Sequence, residues 1–123
     1  MANWASGRES QYLDAIIRGE KIYEGRLNKG KFADYRVGDT VMLRRDFRDG
    51  SGSLHDGDPE LTVQVSEIIH FASFNEMTHQ LPYRAIIPDA MSAADAASRY
   101  DAFYSLEDQQ RYGVLAIKVK IVV

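Results

Sequence analysis

The chain contains no cysteine. That excludes a disulfide framework and any thiolate-ligated zinc, and it allows a reducing compartment without demanding one. No apolar run approaches the roughly 18 residues of a membrane-spanning helix. The first ten residues are polar around a single Trp4 and lack the apolar middle of a signal peptide. There is no surplus of positive charge. Lys and Arg number 15 against 18 Asp and Glu, for a net charge of −3. A chain without a global basic footprint is a poor non-specific ligand for duplex DNA, although a local basic patch remains open to it. What is present is enough apolar residue, 45% of 123, to build one core. The expectation is a soluble, cytoplasmic protein with no membrane partner. Residues 1–10 read as a leader and residues 11–123 as a single domain.

The most informative stretch runs from Gly19 to Arg26. Before it, Tyr12, Leu13, Ile16 and Ile17 repeat at helical spacing, predicting a helix over 9–18. Gly19 stands where a helix stops, because glycine takes the left-handed conformation without a side-chain clash. The period then switches to two, predicting a strand over 22–27. Such a strand sends Tyr23 to one side and Ile22, Glu24 and Arg26 to the other. Lys21, at its mouth, can face the same space. This pattern is most often a solvated strand edge, and it is also compatible with a charged site of fixed geometry. With Lys29, Lys31 and Arg36 the stretch holds five cations within sixteen residues, interleaved with Tyr23, Phe32 and Tyr35. Cations that track phosphates and rings that stack on bases suit single-stranded nucleic acid. A lysine-rich turn kept for solubility has the same composition.

Further along, Val37-Gly38-Asp39 reads as a tight turn into a strand over 40–45. Residues 46–59 read as a glycine- and aspartate-rich hairpin tip. A calcium loop running from Asp49 to Glu60 fails at its sixth position, where Leu54 stands in place of the glycine that the turn needs. Residues 61–71 form a third strand, in which Ile68 beside Ile69 implies a bulge or burial on both faces. Ser73 with Glu76 forms a capping box. Residues 81–88 read as irregular. Ser92 and Ser105 open an alanine-rich helix to about Phe103 and one further turn. Val114–Val123 is a last strand of β-formers. The class is α+β: a mostly antiparallel sheet curled into a small barrel, flanked by an N-terminal helix and by helices inserted before the last strand.

His55, His70 and His79 make no metal-ligand spacing, and no glycine-rich phosphate loop precedes a helix. The cluster at 21, 24 and 26 remains. Lys21 in a dry cleft is a base with Glu24 as proton shuttle, or Lys21 and Arg26 clamp a phosphate while Glu24 orients the arginine.

The set Gly19-x-Lys21-x-x-Glu24-x-Arg26 resembles the signature of ASCH domains. The resemblance continues through Val37-Gly38-Asp39, the 68–77 segment and Tyr112-Gly113-Val114. It implies a PUA-like β-barrel over residues 11–123 and a cleft that binds RNA or a nucleotide. Two activities of ASCH-like proteins bear on the chain. One removes the acetyl group of acetylated cytidine, using the signature lysine, a threonine and a glutamate. Lys21 matches the lysine, but Glu24 stands where the threonine falls and no position matches the glutamate. The other is cleavage of single-stranded RNA by members with a Tyr-Ser pair after the insertion helix, here Tyr104-Ser105. The resemblance therefore implies a weak single-strand endoribonuclease with Lys21, Glu24, Tyr104 and Ser105 as catalytic candidates. Ser105 reads equally as a plain helix cap. RNA would be held by Lys21, Tyr23, Arg26, Lys29 and Lys31. The sequence assigns no definite cofactor, and a divalent metal, manganese or magnesium, is the candidate aid to cleavage; neither ligand residues for a metal nor an oligomeric state is implied. The alternatives are a reader or amidohydrolase of a modified nucleoside, and an adaptor docking through residues 91–104.

Overall fold

The alternation that begins after Gly19 becomes one strand of a five-stranded sheet. A computed structural model describes residues 1–122. Its elements are β1 (Asn3–Glu9), α1 (Ser10–Ile17), β2 (Tyr23–Leu27), α2 (Lys31–Asp34), β3 (Thr40–Arg48), β4 (Leu54–Phe71), α3 (Phe74–Gln80), α4 (Tyr83–Ile86), α5 (Ala93–Asp101), α6 (Leu106–Tyr112) and β5 (Val114–Ile121). The sheet order is β1-β3-β4-β5-β2. β1 runs parallel to β3 and every other pair is antiparallel. The sheet curls into a half-barrel, and its two terminal strands meet through side chains. Arg8 Nε on β1 lies 3.0 Å from Glu24 Oε2 on β2.

Two cores form because β5 is buried on both faces. Leu115, Ile117 and Val119 point into the barrel, where they meet Leu13, Ile16, Val41, Leu43, Val63 and Val65. Val114 and Ala116 point outward and are covered by Phe74, Met77, Ile86 and Ala96 from the helices. Ile68 and Ile69 divide the same way, each packing against a different core. Burial on both faces therefore holds, while the register shift of β4 lies earlier, between Val65 and Glu67. α1 ends as expected. Gly19 has φ +78°, and Glu20 and Lys21 both donate backbone N–H bonds to the Ala15 carbonyl. Ser73, Ser92 and Ser105 each accept a backbone N–H three residues on, as N-caps do.

The stretch read as a leader, residues 1–10, contains a strand of the sheet. Residues 3–9 pair with 40–46 as β1, which Asp39 pins in place. The Asp39 carboxylate accepts from Ala2 N, Trp4 Nε1 and Arg36 N at 2.9–3.0 Å. Residues 46–59 are not a long loop. β3 continues to Arg48, β4 starts at Leu54, and only 49–53 turn. Pro59 is tolerated in β4 because it sits at a register shift opposite Arg44. Within 81–88, α4 supplies one helical turn.

Candidate functional site

The left-handed Gly19 turns the chain so that Lys21 points inward just before β2. Its side chain is 5% exposed. Nζ donates to the carbonyls of Tyr23 at 3.0 Å and Ile86 at 2.5 Å. Burial pushes its pKa down; Glu24 pulls it back up, Arg26 and Arg8 push it further down, and the result is about 8. Two carbonyls use two N–H groups. An ammonium therefore keeps a third donor, and a neutral amine keeps its lone pair.

Glu24 is also 5% exposed, and it shares one strand face with Arg26 as the period of two requires. Burial alone would raise its pKa. Arg8, Lys21 and Arg26 outweigh that and hold it at about 2, so the carboxylate is charged at neutral pH. Arg26 Nη2 lies 3.5 Å from Glu24 Oε2, and its Nη1 lies 3.4 Å from the Tyr104 hydroxyl. The guanidinium sits 5.0 Å from the Phe32 ring centroid, a cation–π contact. Between the two, Gly25 admits the Tyr100 ring. A Cβ built on Gly25 would stand 2.8 Å from that ring. Tyr100 in turn stacks on Phe74, with ring centroids 4.4 Å apart and planes 4° from parallel. Burial, then Glu24, pushes the Tyr100 hydroxyl well above the usual phenol range, so it stays protonated.

These groups line a cavity of about 430 Å³. One wall is β1, with Gly7 and Arg8. A second is Lys21 with Glu24, Gly25 and Arg26. The third is Tyr100, Phe103 and Tyr104 at the end of α5. Asp46 and Arg48 of β3 and Leu54 of the hairpin complete the mouth. Its arginines are already partnered: Arg48 with Glu9 at 2.8 Å, and Arg99 with Asp89 at 2.7 Å and Asp95 at 3.1 Å.

Of the residues expected at the site, Lys21, Glu24, Arg26 and Tyr104 converge on this cavity. The others do not. Tyr23 is buried in the outer core, because the strand sends it to the opposite face. Ser105 is the exposed N-cap of α6, its hydroxyl accepting from Asp108 N. Lys29 lies 4.9 Å from the Tyr112 ring centroid. Lys31 donates to the Ala5 carbonyl at 2.8 Å. Neither lysine lines the cavity, so the cation run is continuous in sequence and dispersed in space. Among the described residues no three His, Asp or Glu side chains gather as a metal set. Arg8 and Tyr100 were not expected. Arg8 lies in a polar run with no apolar alternation to mark it. Tyr100 carried a signal, standing four residues before Tyr104 in the aromatic end of the insertion helix.

A family model described as ASCH domain matches residues 9–123. A crystal structure of a hypothetical protein superposes with a TM-score of 0.80 at 28% identity, covering 98% of this chain and 99% of that one. A solution structure of a protein from Pyrococcus furiosus gives 0.75 at 27%, covering 98% and 97%. The ASCH domain from Lactobacillus crispatus gives 0.63 at 13%, covering 98% and 79%, a likeness of fold alone. No curated protein matches the sequence.

Proposed function

The chain belongs to the ASCH domain family, a PUA-like family often associated with RNA binding, and on that footing we propose that it takes one nucleotide unit of RNA, or a free nucleotide, into the cavity around Lys21. The observation that carries this reading is the pair of buried charges, Lys21 and Glu24, on the wall of a cavity of about 430 Å³. Cavities that bind small ligands run from about 300 to 1,000 Å³. Buried charges are costly, and perturbed titratable groups in a cleft mark sites that use them. Tyr100 and Tyr104, both stacked on Phe74, line the cavity with their hydroxyls and ring edges toward a base. Arg26 and the third Lys21 N–H offer donors for a phosphate or a base carbonyl. The dispersal of Lys29 and Lys31 favours one bound nucleotide over a long phosphate track.

The Lys21 titration supports a second step. With a midpoint of about 8, roughly one-tenth of Lys21 is a neutral amine at pH 7. That amine can take the proton of a ribose 2′-hydroxyl. The 2′-oxygen then attacks the adjacent phosphorus, the 5′-oxygen leaves and takes a proton from water, and Arg26 meets the charge that develops. This is slow cleavage of single-stranded RNA. Reading a modified base without chemistry needs only the binding half. The acetylcytidine amidohydrolase fits less well, since Glu24 occupies the threonine position.

The test uses a labelled single-stranded RNA, with the parent and Lys21→Ala purified identically, each with and without manganese or magnesium. Binding to single strands falls with salt at a slope of about −0.7 per phosphate contact. One nucleotide in the cavity, with one or two phosphate contacts, predicts a shallow slope of about −0.7 to −1.4, with cleavage by the parent and none by the variant. A steep slope would mean a strand tracked over many phosphates. Equal cleavage by both proteins would remove Lys21 from any chemistry.

A further inference from the structure

Behind Glu24, inside the barrel, lies a second and much smaller cavity of about 10 Å³. Its wall is apolar, from Val41, Leu43, Val63, Ile117 and Val119, except for Arg8, Glu24 and Tyr35. The space matches one water molecule, which needs roughly 10–15 Å³ and two to four polar partners. Three buried polar atoms among its lining residues have no hydrogen-bond partner within the protein: Glu24 Oε1, Tyr35 Oη and Arg8 Nε. Arg8 Nε stands 3.0 Å from Glu24 Oε2 as an ion pair, but without a straight hydrogen bond. We infer that Tyr35, acting through a single interior water, is a positioning residue for Glu24. The Tyr35 hydroxyl donates to the water, the water donates to Glu24 Oε1, and Arg8 Nε supplies a further donor. Glu24 Oε2 is thereby turned toward Arg8 and Arg26, the arrangement the site requires.

Every element packed on Glu24 bears on this. Arg8 faces it from β1, Arg26 from its own strand, Lys21 from the turn before that strand, and Tyr100 with Tyr104 from α5 and the turn after it. All of these approach from the large-cavity side or hold Oε2. Among the described residues only Arg8 and Tyr35 join Glu24 as polar groups in the wall of the interior cavity, and Arg8 is already committed to Oε2. The Tyr35 ring is fixed for the task, packed at 5.0 Å on Trp4 and 5.3 Å on Phe32. Burial pushes the hydroxyl above its ordinary value, so it remains a donor at neutral pH.

The variant is Tyr35→Phe, which removes one oxygen and keeps the ring. The first readout is a high-resolution crystal structure of the parent and the variant. The expected result is a water within hydrogen-bond reach of Tyr35 Oη and Glu24 Oε1 in the parent. In the variant the water departs or the carboxylate turns. The second is the infrared carboxylate band of Glu24, identified by its loss in Glu24→Gln. That band shifts in Tyr35→Phe if the hydroxyl acts on Glu24, and stays in place if Tyr35 merely packs. A parent without the water overturns the inference, whatever becomes of the variant. So does a variant with an unmoved carboxylate and an unchanged band, even at lower melting temperature. The link to function rests on the nucleotide reading and predicts several-fold weaker binding of cytidine monophosphate by Tyr35→Phe. If the parent binds no nucleotide, the site reading falls while the crystallographic and infrared results still decide the role of Tyr35.

Discussion

At the scale of the residue, the site is two buried charges with opposite effects on stability. Glu24 titrates near 2 in the folded chain against an ordinary 4.5. Its folded pKa is depressed, so its contribution is present above pH 4.5 and is lost as pH falls toward 2, an upper bound of about 3 kcal/mol. Lys21 titrates near 8 against 10.5. The folded state disfavours its charged form. Stability therefore rises between pH 8 and 10.5, where the unfolded chain still binds the proton, by at most a similar amount. Denaturant unfolding from pH 2 to 10.5 checks both arms. Glu24→Gln is expected to flatten the acid arm. The same change lowers the Lys21 midpoint below 8, as read by NMR of its Cε, because Glu24 is the charge that raises it. A Lys21 midpoint near 10.5 would mean an amine in water. Gly25 gives a second residue-scale test. In Gly25→Ala the new methyl meets the Tyr100 ring, which is held by its stack on Phe74. Overpacking of this kind costs about 1–3 kcal/mol. Thermal unfolding reads the loss, and Tyr100→Ala in the same chain should relieve part of it.

At the scale of the element, β1 decides whether the site is assembled. It carries Arg8, the partner of Glu24, yet it is a sheet edge held by β3 and by Asp39. Asp39→Ala removes an acceptor of three hydrogen bonds. Bonds to charged groups contribute about 1.5–3 kcal/mol each at most, and they do not simply add. We expect a loss of about 2–3 kcal/mol, with amide exchange accelerated first in residues 3–9 and only later in β5. Uniform acceleration would mean that β1 does not open separately. β1 was illegible in sequence for a physical reason. Its buried positions are Ser6 and Arg8, so its alternation carries no apolar signal. What makes it a strand is pairing with residues nearly forty positions away. Glycine and aspartate in 54–59 misled in the opposite direction, since a wet, register-shifted strand tolerates residues that elsewhere spell loop. α1 and the three serine caps were legible because their causes are local.

At the scale of the whole molecule, the curled sheet and the outer helices create a cavity where elements distant in sequence meet. The signature Lys21, Glu24 and Arg26 was legible because one turn and one strand place all three. Tyr104 joined them through the family resemblance. Lys29, Lys31 and Tyr23 were assigned from adjacency along the chain, and the pleat and the turn after β2 carry them elsewhere. The most direct measurement is an NMR titration of the full chain and of Lys21→Ala with cytidine, uridine, adenosine and guanosine monophosphates. The account predicts saturable shifts in the parent, concentrated at Gly7, Gly25 and Tyr104, with binding about tenfold weaker or worse in Lys21→Ala, as loss of one charged hydrogen bond implies. Shifts that never saturate, that fall away from this cavity, or that are the same in both proteins would contradict it.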